Sequence, residues 1–168
     1  MIWGHGINKN KPRRKDGPEK ACAMLRSRNF QTILQEVANC VYDAMWGKAY
    51  SLLYRTRLKK TKGKIAELGP TYATKFLHFC ATPLNCQIKP LIFDSKVASS
   101  LRKLFNKAKV TADYRLYMVA RGGRVNNPDW SESGYLEYLI FMHHISHELG
   151  VRADQLEMFL WEPPPNFP

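Results

Sequence analysis

Apolar residues recur at three- and four-residue steps through much of the chain, the period of a helix with one buried face. Phe30, Ile33, Leu34, Val37 and Val41, extended by Ala44 and Met45, form the first such stripe, and Asn29 stands where a cap belongs. A second helical stretch follows Gly47 with Tyr50, Leu53, Tyr54 and Arg57. Residues 59–69 read as a short helix that stops at Gly69, and Pro70 opens the next, where its missing N–H costs nothing. That helix runs to about Ala81, with Tyr72, Phe76, Leu77 and Phe79 as its bulk. Pro83 and Pro90 bound a loop, and Leu91-Ile92-Phe93 lead into a helix that Asp94 or Ser95 caps, with Val97, Ala98, Leu101, Leu104 and Phe105 inward.

The pattern is less decisive later. Residues 113–120 fit strand or helix equally, and 121–134 form a polar loop containing Arg121 and Arg124. A long helix is expected from about Ser131 to Leu149, with Leu136, Leu139, Ile140, Ile145 and Leu149 apolar and Gly150 as its stop. A last helix covers about Ala153 to Leu160. The sum is an all-α fold in one domain over 29–161, between a basic arm at 1–28 and a proline-rich tail at 162–168.

Charge adds a partner to this picture. The 168 residues hold 26 Lys and Arg against 14 Asp and Glu, a formal +12, which calls for a polyanion, nucleic acid first. No apolar run approaches the ~20 residues of a bilayer span, and Met1 to Gly6 carry no apolar signal core, so no membrane role and a cytoplasmic, nucleoid-associated place are expected. Four cysteines without CxxC spacing read as reduced thiols. His78, Cys80 and Cys86 lack a fourth ligand, and His143 and His147 lack the intervening glutamate of a zinc helix, so neither a metal nor another cofactor is expected.

The sharpest local feature is Ile65-Ala66-Glu67-Leu68-Gly69-Pro70-Thr71, two short helices meeting at Leu-Gly. Such a corner leaves the first N–H groups of the second helix facing outward, where donors and dipole together hold an anion. Gly69 would let a phosphate approach closely, and Thr71 would stand beside it. Between Lys48 and Lys64 lie seven basic residues, Lys59, Lys60, Lys62 and Lys64 among them, with no acidic residue. A basic stripe beside backbone donors is a phosphate grip. Among the tryptophans, Trp46 sits just before the stripe and is the favoured stacking partner for a base, ahead of Trp130 and Trp161.

Leu68 to Phe79, followed by Leu91-Ile92-Phe93-Asp94-Ser95-Lys96-Val97-Ala98, resembles the hairpin and catalytic-aspartate segments of the helix-hairpin-helix DNA glycosylases. Within them it is similar to the OGG-fold, 8-oxoguanine DNA glycosylase-like proteins of bacteria, and the likeness runs over roughly 46–161. It implies a helical domain, double-stranded damaged DNA as partner, a flipped-out base, and cleavage of the N-glycosidic bond. It further implies a lysine amine that attacks the sugar C1′ to form an imine, giving AP-lyase activity, and an aspartate that supports the charge developing on the sugar.

The aspartate falls on Asp94, with Lys96 placed to touch DNA. Most bifunctional members carry the lysine two residues past the hairpin glycine, where this chain has Thr71. Lys75, a turn further on the same face, resembles the archaeal placement. Partly desolvated between Tyr72 and Phe79, it would have the lowered pKa that a nucleophile needs. The residues alone leave alternatives open: Asp94 as an N-cap only, Lys75 as a phosphate contact only, and the chain as an inactive DNA-binding relative in a bacterial defence locus.

Overall fold

Helices are the regular elements among the described residues, which in this computed structural model are 25–26, 29–54, 65, 68–84, 86–107 and 131–162. They are α1 (Phe30–Tyr42), α2 (Trp46–Leu53), α3 (Pro70–Ala81), α4 (Ser95–Lys107), α5 (Glu132–Glu148) and α6 (Ala153–Trp161). The all-α expectation holds. Most of the 1–28 arm, the short helix expected over 59–69 except residues 65, 68 and 69, residues 55–64 with their lysines, the ambiguous 113–120, the loop at 121–130 with Arg121 and Arg124, and the tail beyond 162 lie outside the described residues.

Helix ends follow local chemistry. Pro70 occupies the first turn of α3 with Gly69 as its N-cap. Ser131 caps α5 by accepting the Gly134 N–H at 3.0 Å, and Gly150 ends that helix at φ 65°, the left-handed conformation glycine adopts without cost. Asn29 stands at the start of α1 but makes no side-chain cap; its own backbone is left-handed, at φ 65°. The role foreseen for its side chain is therefore not taken up, and its tolerance of that conformation is what the turn uses.

One core joins α1 to α2 and α3, and α2 to α5, while α5 and α4 both pack on α6. Its largest fully buried side chains include Tyr50, Tyr135, Tyr138, Phe93, Leu53 and Leu77. Tyr50 meets Tyr135 at 4.7 Å between ring centroids, and Phe93 stacks on Tyr138 at 4.4 Å. Each such pair adds about 0.5–1.5 kcal/mol beyond the area it buries.

Two faces differ from the sequence expectation. In α5 the buried stripe is Tyr135, Tyr138, Leu139, Met142 and Ser146, while Ile140 and Leu149 are exposed. The tyrosines win the interior because their hydroxyls find acceptors there: Tyr135 donates to the Leu91 carbonyl at 3.0 Å and Tyr138 to Glu157 Oε1 at 2.6 Å. In α3 the inward residues are the smaller Ala73, Thr74, Leu77 and Ala81, and Tyr72, Phe76 and Phe79 face outward. Small side chains let α3 sit close to the 91–94 segment, which fixes the site described below.

Gly47 marks the close approach of α2 to α5. A Cβ there would lie 2.7 Å from Leu136 Cδ1 and 2.9 Å from Glu132 Oε1. Replacing a helical glycine by alanine gains at most about 1 kcal/mol of propensity, and Gly47 is only the second residue of α2, whereas the forced shift of the half-buried Leu136 costs about 1–3 kcal/mol. G47A is expected to be less stable than the parent by about 1 kcal/mol in a urea titration.

Candidate active site

The site is assembled by the extended segment that precedes α4. Leu91, Phe93 and Asp94 are buried, and the backbone polar groups around them are taken up by three helices. Thr74 of α3 accepts the Phe93 N–H at 3.2 Å and lies 3.5 Å from its carbonyl, Tyr135 of α5 donates to Leu91, and Glu157 of α6 accepts the Ile92 N–H. A mostly buried segment held by side chains of three helices has little freedom. Thr74 precedes Lys75 and Phe93 precedes Asp94, so the Thr74–Phe93 contact ties α3 to the segment that carries Asp94, and the Lys75 charge reaches the Asp94 carboxyl.

Asp94 is 4% exposed. Its Oδ1 accepts the N–H groups of Lys96 at 2.8 Å and Val97 at 3.1 Å, which makes it the cap of α4. Burial pushes its carboxyl above the ordinary range; the Val97 and Lys96 N–H bonds pull it back, followed by the positive charges of Lys75 and Lys96. The carboxylate thus feels both ammonium groups, yet no ion pair within 4.0 Å is formed between these residues. A gap of that kind leaves the amine untied.

Lys75 is half-buried, and its Nζ stands 5.9 Å from the ring centroids of both Tyr72 and Trp161. Lys96 Nζ is closer to the same tryptophan, 4.5 Å from its centroid. Phe79, also expected beside the amine, is 62% exposed and meets His78 edge-on. The arrangement is a buried carboxylate at a helix start, with two ammonium groups whose charge it feels lying over two aromatic rings. Ammonium groups lie over rings because the π face is electron-rich; a flat base would use the same face.

The remaining expected residues fall as follows. Gly69, at φ −80° and ψ 169°, is half-buried, and a Cβ on it would meet nothing within 4 Å. Neither its backbone conformation nor internal packing requires glycine. Thr71 is half-buried, and its carbonyl accepts from Thr74 Oγ1 at 3.1 Å. Trp46, foreseen at a base pocket, is 5% exposed and belongs to the core; an indole packed on all sides has no face to offer a base. The tryptophan beside Lys75 and Lys96 is Trp161. Lys59, Lys60, Lys62 and Lys64 lie outside the described residues.

Sequence reasoning missed Thr74 and Glu157, whose importance is positional. Thr74 reads as one small polar residue in a helix. Glu157 reads as a surface charge, whereas it is 7% exposed. The one available signal was spacing: Glu157 stands one turn before Trp161 on α6.

A recess of about 430 Å³ lies toward the other end of α3 and is lined in part by His78, Lys89, His143 and Arg152. Both imidazoles bond the backbone there, His78 to the Pro90 carbonyl at 2.9 Å and His143 to the Lys89 carbonyl at 2.8 Å. Among the described residues no three His, Cys, Asp or Glu side chains gather as metal ligands, and no helix is long and apolar enough to cross a membrane.

The helices described form an all-α domain, consistent with a glycosylase-like fold. The chain belongs to the OGG-like family: a family model described as "Putative 8-oxoguanine DNA glycosylase OGG-like protein" matches residues 1–161. No curated protein and no solved structure matches it.

Proposed function

We propose that the protein is a lesion-directed DNA N-glycosylase with AP-lyase capacity, in which Lys75 is the nucleophile and Asp94 the carboxylate beside the reacting sugar. The observation that supports this reading is the tie between α3 and the Asp94 segment through the Phe93 N–H and Thr74, with the charge of Lys75 acting on the Asp94 carboxyl. The neutral Lys75 amine attacks C1′, the C1′–N bond breaks, and the base departs with the bonding pair and takes up a proton. The positive charge that develops on the sugar is opposed by Asp94. Opening of the sugar ring leaves an imine between Lys75 and C1′, and elimination from that imine cuts the strand.

Trp161 supplies an aromatic face for the flipped base, the role assigned from sequence to Trp46. Lys96 and the Gly69–Thr71 corner hold the backbone. Double-stranded DNA with an oxidised purine, 8-oxoguanine above all, is the substrate that the family description favours. Incubation with an 8-oxoguanine duplex and borohydride should give a covalent protein–DNA adduct. A duplex that yields neither adduct nor, after alkali, a strand break would end the proposal.

The hairpin has its own test. Since Gly69 meets nothing internally, G69A should keep stability within about 0.5 kcal/mol. Its methyl would stand between a phosphate and the first N–H groups of α3, so DNA affinity should fall by about 1 kcal/mol, or roughly fivefold. Unaltered affinity in a fluorescence-anisotropy titration would remove the corner from the DNA interface.

A second reading, a relative that only binds DNA, is favoured by Asp94 itself, which is 4% exposed and spends Oδ1 on the cap. D94N separates the two. Loss of cleavage with DNA binding retained supports the enzyme; cleavage absent from the parent and binding present in both supports the relative.

A further inference from the structure

We propose that Glu157, the buried carboxyl of α6, is a positioning residue for Asp94: through the Ile92 N–H and the Tyr138 hydroxyl it fixes the segment that carries Asp94 to α4. The proposal rests on the reading of Asp94 given above.

The 91–94 segment has no secondary structure of its own to hold it. Thr74 secures it from α3 and Tyr135 from α5, each at one residue. Glu157 acts at two levels. It accepts the N–H of Ile92 directly, and it accepts the Tyr138 hydroxyl at 2.6 Å. The Tyr138 ring is the surface on which Phe93 stacks, at 4.4 Å and 20° between planes. One carboxyl thereby sets both the backbone two residues before Asp94 and the ring beneath the residue adjoining it. Its loss would leave a buried hydroxyl and a buried N–H without their acceptor, and such groups relax by moving toward another partner.

The surrounding charges explain how an acid serves here. Asp94 faces Glu157 from the 91–94 segment and Asp154 from α6 itself, while Tyr138 faces it from α5. Tyr135 of α5 lies within electrostatic reach, and Lys75 of α3 and Lys96 of α4 act on Asp94 beyond it. Burial, above all, lifts the Glu157 carboxyl to about 8, against the two hydrogen bonds it accepts. At neutral pH it is mainly protonated, so it accepts both bonds without setting a second negative charge beside Asp94. Glutamine mimics that form; a shorter or missing side chain does not.

The experiment compares E157Q, E157A and, as a folding control remote from the site, V37A in α1. Two quantities are read: the rate of borohydride trapping on an 8-oxoguanine duplex, and the titration midpoint of Asp94 from its ¹³C carboxyl resonance, assigned with D94N. E157Q should trap within threefold of the parent, with the Asp94 midpoint unmoved. E157A should trap about 10–100-fold more slowly, as a displacement near 1 Å at reacting groups costs, and should move the Asp94 midpoint. V37A should change neither, whatever it loses in Tm. If E157A does not fold, E157D replaces it, since a carboxyl one methylene short cannot reach both donors. The proposal is overturned if the truncated variant keeps the parent rate and midpoint, or if V37A slows trapping as much. Should the parent itself form no adduct, the glycosylase reading fails, and the Asp94 midpoint alone decides: moved in E157A upholds the positioning role, unmoved overturns it.

Discussion

K75A should form no borohydride-trapped adduct and should release base at least about 10³-fold more slowly than the parent, the scale on which single groups of a catalytic unit are lost. The expectation follows from the absence of a substitute. Lys96, the other ammonium group at the site, lies over Trp161 at 4.5 Å and follows the capping Asp94 by two residues. Its backbone N–H donates to Asp94 Oδ1 at 2.8 Å, and it belongs to α4, whereas Lys75 belongs to α3 and directly follows the Thr74 that bonds Phe93. K96A should therefore trap at a rate within tenfold of the parent and show its defect in DNA affinity, more so at low salt, where phosphate contacts count most. Adduct formation that survives K75A and disappears in K96A would transfer the nucleophile to Lys96. Protein gels of trapped reactions at several time points measure both outcomes.

The frame of this site was legible in the sequence because its local rules are strong. Pro70 after Gly69, and Asp94 before an apolar helix stripe, fix two helix starts from adjacent residues alone. The family likeness then singled out Lys75 and Asp94, and in the structure the charge of Lys75 acts on the Asp94 carboxyl. What stayed hidden was which face of each helix turns inward. Leu136, Ile140 and Leu149 carry more apolar character than Tyr135 and Tyr138, yet the tyrosines are buried, since Leu91 and Glu157 accept their hydroxyl protons. Those acceptors lie 44 and 19 residues from their donors, a separation that no local pattern reports. Trp46 and Trp161 were likewise equal in composition. Only packing put Trp46 in the core and left Trp161 at the end of α6 beside two lysines.

The same long-range partnership makes stability depend on pH in a direction opposite to that of an ordinary surface carboxylate. Glu157 in the fold holds its proton up to about pH 8, whereas in the unfolded chain it would lose it near 4.5. Between those values the folded state binds more protons than the unfolded one, so stability falls as pH rises; below the lower value the two states are alike, and above the upper one the full penalty is present. At about 1.4 kcal/mol per unit of displacement, the penalty approaches 3–5 kcal/mol, a large share of a typical domain's stability. Asp94, whose carboxyl burial also raises, adds in the same direction. E157Q removes the Glu157 contribution while keeping an acceptor for Tyr138. It should match the parent in urea denaturation at pH 5 and exceed it by about 3 kcal/mol at pH 9, with the difference opening between pH 5 and 8. Parallel pH profiles of the two proteins would show that Glu157 is ionised in the fold near its ordinary range. The hydroxyl of Tyr138 would then be donating to a permanent charge beside Asp94.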